Sequence, residues 1–314
     1  MGAATETRTR KQIEEKFGGY VTDFLAPPDD TFARGSKAGQ VTDDFSVAYM
    51  TLKEVVAQGK LDDQTALAGL LKWADIPAYF DHFAGPTTKA SVRALKGEDI
   101  QSDVFVPCNE NRRASNGAAM KSAPIALLSG GDIDKAIDYA ITVGRITHNN
   151  NIALSGAAAI AAATAAAMKD GADLFDVVQA SIYGAAKGDQ IGQTLAGASV
   201  ETRIRWAVNI AMNAKNLDEA INEIEDYIGS GLMTVEAVPA VIGLCVAAKG
   251  NAVDGICAAV NIGDDTDTVA TMVGGILGAL HGADAFPEHY FKVIEEANGF
   301  GLDALAEKMV RFIG

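Results

Sequence analysis

From residue 150 onward the chain alternates apolar segments of helical length with short breaks marked by Gly, Asn or Asp. Apolar positions recur three and four residues apart, and no run alternates in the two-residue rhythm of a half-buried strand. The pattern predicts helices near 151–169, 173–187, 200–213, 217–228, 234–249, 252–261, 267–281, 287–298 and 301–313. Upstream, Asp132 to Val143 places Ile133, Ala136, Ile137, Ala140 and Ile141 on one helix face. Thr42 opens a helix that ends near Gly59, and Asp62 opens another that runs to about Trp73. Residues 1–40 read as irregular, with a short helix from Arg10 to Lys16 stopped by Gly18-Gly19, a turn at Pro27-Pro28-Asp29-Asp30 and a flexible loop from Gly35 to Gly39. Residues 75–113, with Pro77, Gly85-Pro86 and Pro107, read as loop broken by one helix around Thr88 to Leu95. Ser115 to Met120 is a polar turn that opens an apolar helix up to Leu128.

With no βαβ signature, no repeat of fixed period and no strong linker, the pattern predicts an all-α fold, a single compact domain of many packed helices over residues 1–314. Composition agrees. The chain is 48% hydrophobic but only 7% aromatic, and it is rich in Ala and Gly, which let helices approach closely. The apolar run from Ile152 to Met168 is mostly Ala, too short and too weakly hydrophobic for a membrane span, and predicts a buried helix. A net charge of −15 argues against a nucleic-acid surface. The N-terminus carries Glu6, Arg8, Arg10 and Lys11, too charged for a signal peptide. Cys108, Cys245 and Cys257 are odd in number and lack CxxC spacing, as expected of reduced thiols in a cytoplasmic protein.

The chemistry concentrates in Gly263-Asp264-Asp265-Thr266-Asp267-Thr268, directly before an apolar run, and in Thr42-Asp43-Asp44, more than 200 residues upstream and also at a helix start. Acids at a helix N-terminus answer its unpaired N–H groups and partial positive charge, which alone would account for the Thr42 triplet. Acids two apart diverge on a helix, so Asp265 and Asp267 converge only in an extended turn. Both clusters together predict one oxygen-lined site for a hard cation such as Mg²⁺, Ca²⁺ or Mn²⁺. An EF-hand is excluded, because counting from Asp265 the sixth position is Ala270 and the twelfth is Ile276. Ser115-Asn116-Gly117 reads either as a cap and turn or as a cradle whose N–H groups face phosphate. His148, between Thr147 and two asparagines, reads either as a satisfied histidine or as a substrate contact. His82, His281 and His289 show no ligand spacing.

The ordered set resembles the ADP-ribosylglycohydrolase family. Gly263 to Thr268, followed by a helix with Gly274, Gly275 and Gly278, resembles its C-terminal metal motif, and Thr42-Asp43-Asp44 its N-terminal one. Ser115 to Pro124 resembles the central loop-helix, and Thr147-His148-Asn149-Asn150 the Thr/Ser-His segment. The resemblance covers essentially the whole chain, with two departures. Members usually begin with an apolar helix reading Gly-Asp-Ala-Leu-Gly, followed closely by Glu; here Met1 to Glu6 corresponds to the end of that motif, so the family's N-terminal helix is expected to be missing, and Glu6 matches the Glu. Lys121 stands where many members have Arg, replacing a bidentate fork by a point charge.

The resemblance implies two Mg²⁺ ions (Mn²⁺ in some members) held by Asp43, Asp44, Asp265 and Asp267, with Thr42 and Thr268 as hydroxyl ligands. It implies hydrolysis of the bond between ADP-ribose and a protein side chain or small molecule. Asp44, Asp43 or Glu6 would serve as general acid or base, with Asp44 ranked first. Ser115, Asn116, Gly117 and His148 would contact substrate. Two alternatives remain: another N-riboside or nucleotide as substrate on the same metal site, or a non-catalytic relative.

Overall fold

Helix boundaries in this protein follow side-chain capping and backbone strain. In the computed structural model, which describes residues 1–98 and 111–314, α1 (Arg10–Phe17) begins with a reciprocal capping box between Thr9 and Gln12 and stops at Gly18, in the left-handed region at φ 73°. α2 (Asp43–Gln58) follows Thr42 and stops at Gly59, and α3 (Asp63–Ala74) is capped by the Asp62 carboxylate. α4 (Pro77–Phe83) and α5 (Pro86–Leu95) each start with a proline. The sequence pattern gives one helix in this stretch and the structure has two. Proline at the first helical position loses nothing, since that N–H has no partner anyway, so Pro77 and Pro86 are starts rather than breaks. Pro107 and Cys108 lie outside the described residues.

The expected continuous helix up to Leu128 is instead three pieces: a 3-10 turn at Asn116–Ala118, α6 (Ser122–Ala126) and a second 3-10 turn at Leu127–Ser129. Pro124 lacks the N–H that would reach back to Met120, so the α-helix cannot begin earlier than its own first turn. The remaining helices lie close to the predicted spans: α7 (Ile133–Gly144), α8 (Asn151–Ala167), α9 (Leu174–Gly188), α10 (Val200–Asn213), α11 (Leu217–Tyr227), α12 (Thr234–Ala247), α13 (Ala252–Asn261), α14 (Thr266–His281), α15 (Glu288–Asn298) and α16 (Leu302–Ile313). Among the described residues no strand forms. The β-type pairs are two isolated bridges, Ser115 with Met233 and Asn150 with Gln193. The fold is all-α, one compact domain.

α8 is the axis of the packing. All its residues are buried, and α6, α7, α9, α12 and α14 pack around it. A helix apolar on every side belongs in the middle of a core. No helix among the described residues is long and apolar enough to cross a membrane. Small side chains set the spacing against α9: a Cβ on Gly184 would stand 2.3 Å from the Ala158 carbonyl oxygen, and one on Gly188 2.4 Å from that of Leu154. The main core continues through Ile204, Ile221, Val241, Leu244, Met272 and Ile276. A second core of Tyr49, Leu52, Ile125, Leu128, Leu305 and Met309 ties α2 to α16, with the Tyr49 hydroxyl donating to the Phe300 carbonyl at 2.7 Å. Cys245 and Cys257 are free thiols, and burial pushes them up to about 12 and about 11, so both are inert at neutral pH.

Replacing Gly184 by Ala puts a methyl against rigid backbone and should cost roughly 1–3 kcal/mol in chemical denaturation. Gly85→Ala, at a position with open space around its Cβ, should stay within about 0.5 kcal/mol of the wild type. Equal midpoints for the two variants would contradict this packing.

Candidate metal centre

The two acidic segments meet because the first eight residues are laced onto the start of α14. Thr7 N–H donates to the Asp264 carbonyl at 2.7 Å, and Asp264 N–H returns a bond to the Arg8 carbonyl at 2.9 Å. Both residues sit in the left-handed region, Thr7 at φ 63° and Asp264 at φ 57°. A β-branched residue rarely adopts this conformation unless its surroundings impose it. The two kinks directly adjoin Glu6 and Asp265, the carboxylates that come together here. Thr5 fixes the approach, donating to the Val260 carbonyl at 2.7 Å and standing 2.9 Å from the Thr266 hydroxyl. Gly2 is required at its position, since a Cβ would lie 2.3 Å from the Thr266 carbonyl oxygen.

One carboxylate oxygen from each of Glu6, Asp265 and Asp267 lies within 4.8 Å of the others. The helix starts one residue earlier than the sequence pattern suggests, so Asp267 is already in the first turn of α14. Asp265, the residue before it, keeps non-helical dihedrals (φ −90°, ψ 59°), and that turn brings the alternate acids together. From α2, Asp44 joins the cluster. Its Oδ2 accepts from the Thr42 hydroxyl at 2.6 Å, and the Thr268 hydroxyl, within reach of both Asp44 and Asp265, favours their charged forms. Asp43 diverges from Asp44, as helical neighbours must. It lies within electrostatic reach of Lys121 and Lys89.

The electrostatics of these acids are those of an uncompensated buried charge. Burial and then Asp267 and Asp265 push Glu6 up to about 10. Burial and then Asp267 push Asp44 up to about 7; burial and then Asp44 push Asp265 up to about 7. Asp267 rises to about 8 through burial and then Asp265, and Asp43 is raised well above its ordinary value by burial and then Asp44. Oδ1 of Asp44 and Oδ1 of Asp267 are buried with no hydrogen-bond partner among the described residues. Buried polar atoms are seldom left in this condition. Hard oxygen donors, mutual repulsion and two orphaned lone-pair sites fit a bound divalent cation.

A polar shelf adjoins the acids. Asn116 donates to Asp265 Oδ2 at 2.6 Å, and its backbone N–H is taken by the Leu232 carbonyl. Asn116 therefore braces an acid, which its neighbours in sequence do not reveal. Ser115 precedes the 3-10 turn but makes no side-chain cap bond. Its Oγ stands 3.0 Å from Nε2 of His148, whose Nδ1 is 2.8 Å from the Thr147 hydroxyl. Lys121 Nζ donates to that same hydroxyl at 3.3 Å. Gly117 accommodates the imidazole, since a Cβ there would lie 2.8 Å from His148 Cε1. Burial and then Lys121 hold His148 down to about 3, so it is neutral. Thr147 and Lys121 are the members of this shelf that the sequence reading left without a role. Lys121 announced itself only by standing in place of Arg. The other three histidines lie apart from the shelf and bond elsewhere or pack locally: His281 with the Gly250 carbonyl, His289 with Asp23 and His82 against Phe83.

Acids raised above their unfolded values stabilise the fold fully only below pH about 4, and that contribution is lost as pH rises through the folded values. Metal-free protein should therefore lose thermal midpoint steadily between pH 4 and pH 8, across the window set by Asp44 and Asp265 near 7 and Asp267 near 8. A divalent cation should restore it more strongly at pH 8 than at pH 5, because its ligands must be deprotonated. Scanning calorimetry at a series of pH values with and without cation checks both signs.

Comparison with known proteins places this arrangement. The ADP-ribosylglycohydrolase family model matches residues 1–313. The chain is 29% identical over 318 residues to the uncharacterized protein YegU of Escherichia coli (strain K12), covering 99% of this chain and 92% of that one. It is 24% identical over 310 residues to an uncharacterized protein of Archaeoglobus fulgidus, covering 98% and 91%. It is 25% identical over 264 residues to the ADP-ribosylarginine hydrolase Tri1 of Pseudomonas putida (strain GB-1), covering 82% of this chain and 63% of Tri1. Among solved structures, an ADP-ribosylglycohydrolase-related protein complex superposes with a TM-score of 0.66 at 19% identity, over 100% of this chain and 93% of that one. By the extent of that family match, the chain belongs to the ADP-ribosylglycohydrolase family.

Proposed function

We propose that the chain is a cytoplasmic, Mg²⁺-dependent hydrolase, residues 1–314 acting as one domain. It cleaves the glycosidic bond between ADP-ribose and a protein side chain or a small ADP-ribosylated molecule, with neither nucleic acid nor membrane as partner. The observation that carries this is the convergence of Glu6, Asp265 and Asp267 within 4.8 Å, beside oxygens of Asp44 and Asp267 that are buried without a hydrogen-bond partner among the described residues. Membership of a glycohydrolase family, typically metal-dependent, supports the bond class and the cation. The name of Tri1 describes an ADP-ribosylarginine hydrolase, which supports an ADP-ribosylated substrate here.

In this reading Asp43, Asp44, Asp265 and Asp267 hold two Mg²⁺ or Mn²⁺ ions, with Thr42 and Thr268 contributing hydroxyls. Cations bound there would orient ribose hydroxyls and acidify a held water. The chain's own groups do the rest. Cleavage at C1 of ribose develops oxocarbenium character, so one group must take a proton from water or give one to the leaving atom. Of Asp44, Asp43 and Glu6, the surroundings favour Glu6. It faces the cluster from outside both Asp motifs, and burial and then Asp267 push it up to about 10. Asp44 has one oxygen held by Thr42 and the other directed nowhere else, which suits a ligand. Asp43 is the acid nearest compensating lysine charge. Asn116 keeps Asp265 in place, Gly117 makes room for His148, and His148 backs Ser115, the half-buried residue that substrate meets.

Mg²⁺ should raise the unfolding midpoint and ADP-ribose should raise it further, by about 2.7 kcal/mol for a ligand at a hundred times its dissociation constant. Asp267→Ala should abolish the Mg²⁺ effect while leaving a helical protein by circular dichroism. Glu6→Gln should keep the Mg²⁺ and ADP-ribose shifts yet lower single-turnover release of ADP-ribose from an ADP-ribosylated substrate by at least about a hundredfold. Unchanged Mg²⁺ affinity in Asp267→Ala would remove the metal assignment. A Mg²⁺ shift without any ADP-ribose response would point to another riboside.

A further inference from the structure

The four side chains Lys121, Thr147, His148 and Ser115 form an unbroken hydrogen-bonded file, and one direction along it gives the Thr147 proton an acceptor. Lys121 Nζ is 3.3 Å from Thr147 Oγ1, Thr147 Oγ1 is 2.8 Å from His148 Nδ1, and His148 Nε2 is 3.0 Å from Ser115 Oγ. An ammonium can only donate. It therefore occupies a lone pair on Thr147, whose own proton then turns to the neighbour that can accept it, Nδ1. The opposite tautomer would aim Nδ1–H at the second lone pair of Thr147 Oγ1 and leave the Thr147 proton with no acceptor along the file, a lost hydrogen bond in a buried setting. With Nδ1 accepting, the ring proton of neutral imidazole is on Nε2, and it points at Ser115 Oγ. Ser115 now has an accepted bond inward and its own proton free outward.

The surroundings hold each link rigidly. Lys121, Thr147 and His148 are all at least 93% buried. Thr147 and His148 hang their N–H groups on the Gly144 carbonyl at the end of α7, and Ser91 of α5 donates to the Thr147 carbonyl at 3.2 Å. Gly117 lies flat beneath the imidazole. Ser115 is fixed by its carbonyl, which accepts from Thr234 at 2.8 Å, and its hydroxyl is the one half-buried end of the file.

We propose that Lys121 is a positioning residue that sets the direction of this file, through Thr147, so that His148 is held as the Nε2–H tautomer and Ser115 presents its hydroxyl as a proton donor to an anionic oxygen of the ligand. Arginine at position 121 would do the same, since it also only donates. The choice of ligand rests on the ADP-ribose reading, where a diphosphate supplies such an oxygen. The direction of the file does not. The neutrality of His148, held down by burial and by Lys121, agrees with the assignment.

Nitrogen-15 NMR of the full chain at pH 7, with the His148 signals identified by their loss in His148→Gln, reads the tautomer directly. The wild type should show protonated Nε2 and bare Nδ1. Lys121→Met and Thr147→Val should each add an Nδ1–H population, while Lys121→Arg should retain the wild-type pattern. In parallel, Ser115→Ala should weaken ADP-ribose binding about tenfold, the loss of one hydrogen bond to a charged oxygen. Nδ1–H or imidazolium in the wild type overturns the proposal even if both Lys121 and Thr147 variants fail to fold. A pure Nε2–H pattern surviving in Lys121→Met overturns the role of Lys121. Wild-type Nε2–H, relaxed in Lys121→Met, with no ADP-ribose binding would support the file while sinking the ADP-ribose reading.

Discussion

The constraint on which this structure depends is the crowding of carboxylates in a place where Asp44 and Asp265 are buried and Glu6 and Asp267 half-buried. Glu6, Asp44, Asp265 and Asp267 all have their proton affinity raised, chiefly by burial and next by one another. Left alone, such a group of acids would open the fold or stay protonated. The chain's own cations relieve the crowding only in part: the Met1 ammonium acts on Asp267, and Lys121 and Lys89 act on Asp43, yet Asp44 and Asp267 each retain an oxygen without a hydrogen-bond partner among the described residues. A cation from solution would balance the site, and its binding would then be linked to the stability of the fold.

Much of the remaining architecture serves to hold those acids still. α8 gives the core a wholly apolar axis, and the helices around it close in because α8 and α9 meet on Ala and Gly. That packing fixes α14, and the chain start is laced to α14 by two backbone bonds and the Thr5 hydroxyl. Two residues pay for the geometry with left-handed dihedrals, Thr7 and Asp264, and each adjoins a carboxylate of the cluster. Strain is concentrated where the acids must be aimed, as is common at sites with a chemical task.

Around the acids, polar groups divide the labour. Asn116 faces inward to brace Asp265, and Ser115, one residue before it, faces the His148 file. The isolated bridge from Ser115 to Met233 and the bond from Asn116 N–H to Leu232 lock that dipeptide against the segment leading into α12. One short turn thus reaches the acidic cluster through Asn116 and the His148 file through Ser115.

The sequence by itself determined the helical class, most helix spans and the two acidic segments, because these depend on local periodicity and on caps read within a few residues. Asp62, Asp132, Asn150, Asp173 and Asn251 are legible as helix starts for that reason. It also suggested that Thr42 to Asp44 and Asp265 to Thr268 belong together, since two dense acidic clusters each stand at a helix start. Tertiary structure alone decided which oxygens converge. Glu6 reaches Asp265 and Asp267 only through long-range backbone pairing, Asp43 comes within electrostatic reach of Lys121 and of Asp267, and Asn116 meets an acid 149 residues away. It decided too that Pro77 begins a helix instead of ending one, and that Lys121 and Thr147 stand behind His148. Those facts depend on which surfaces face each other after packing, and no local pattern records that.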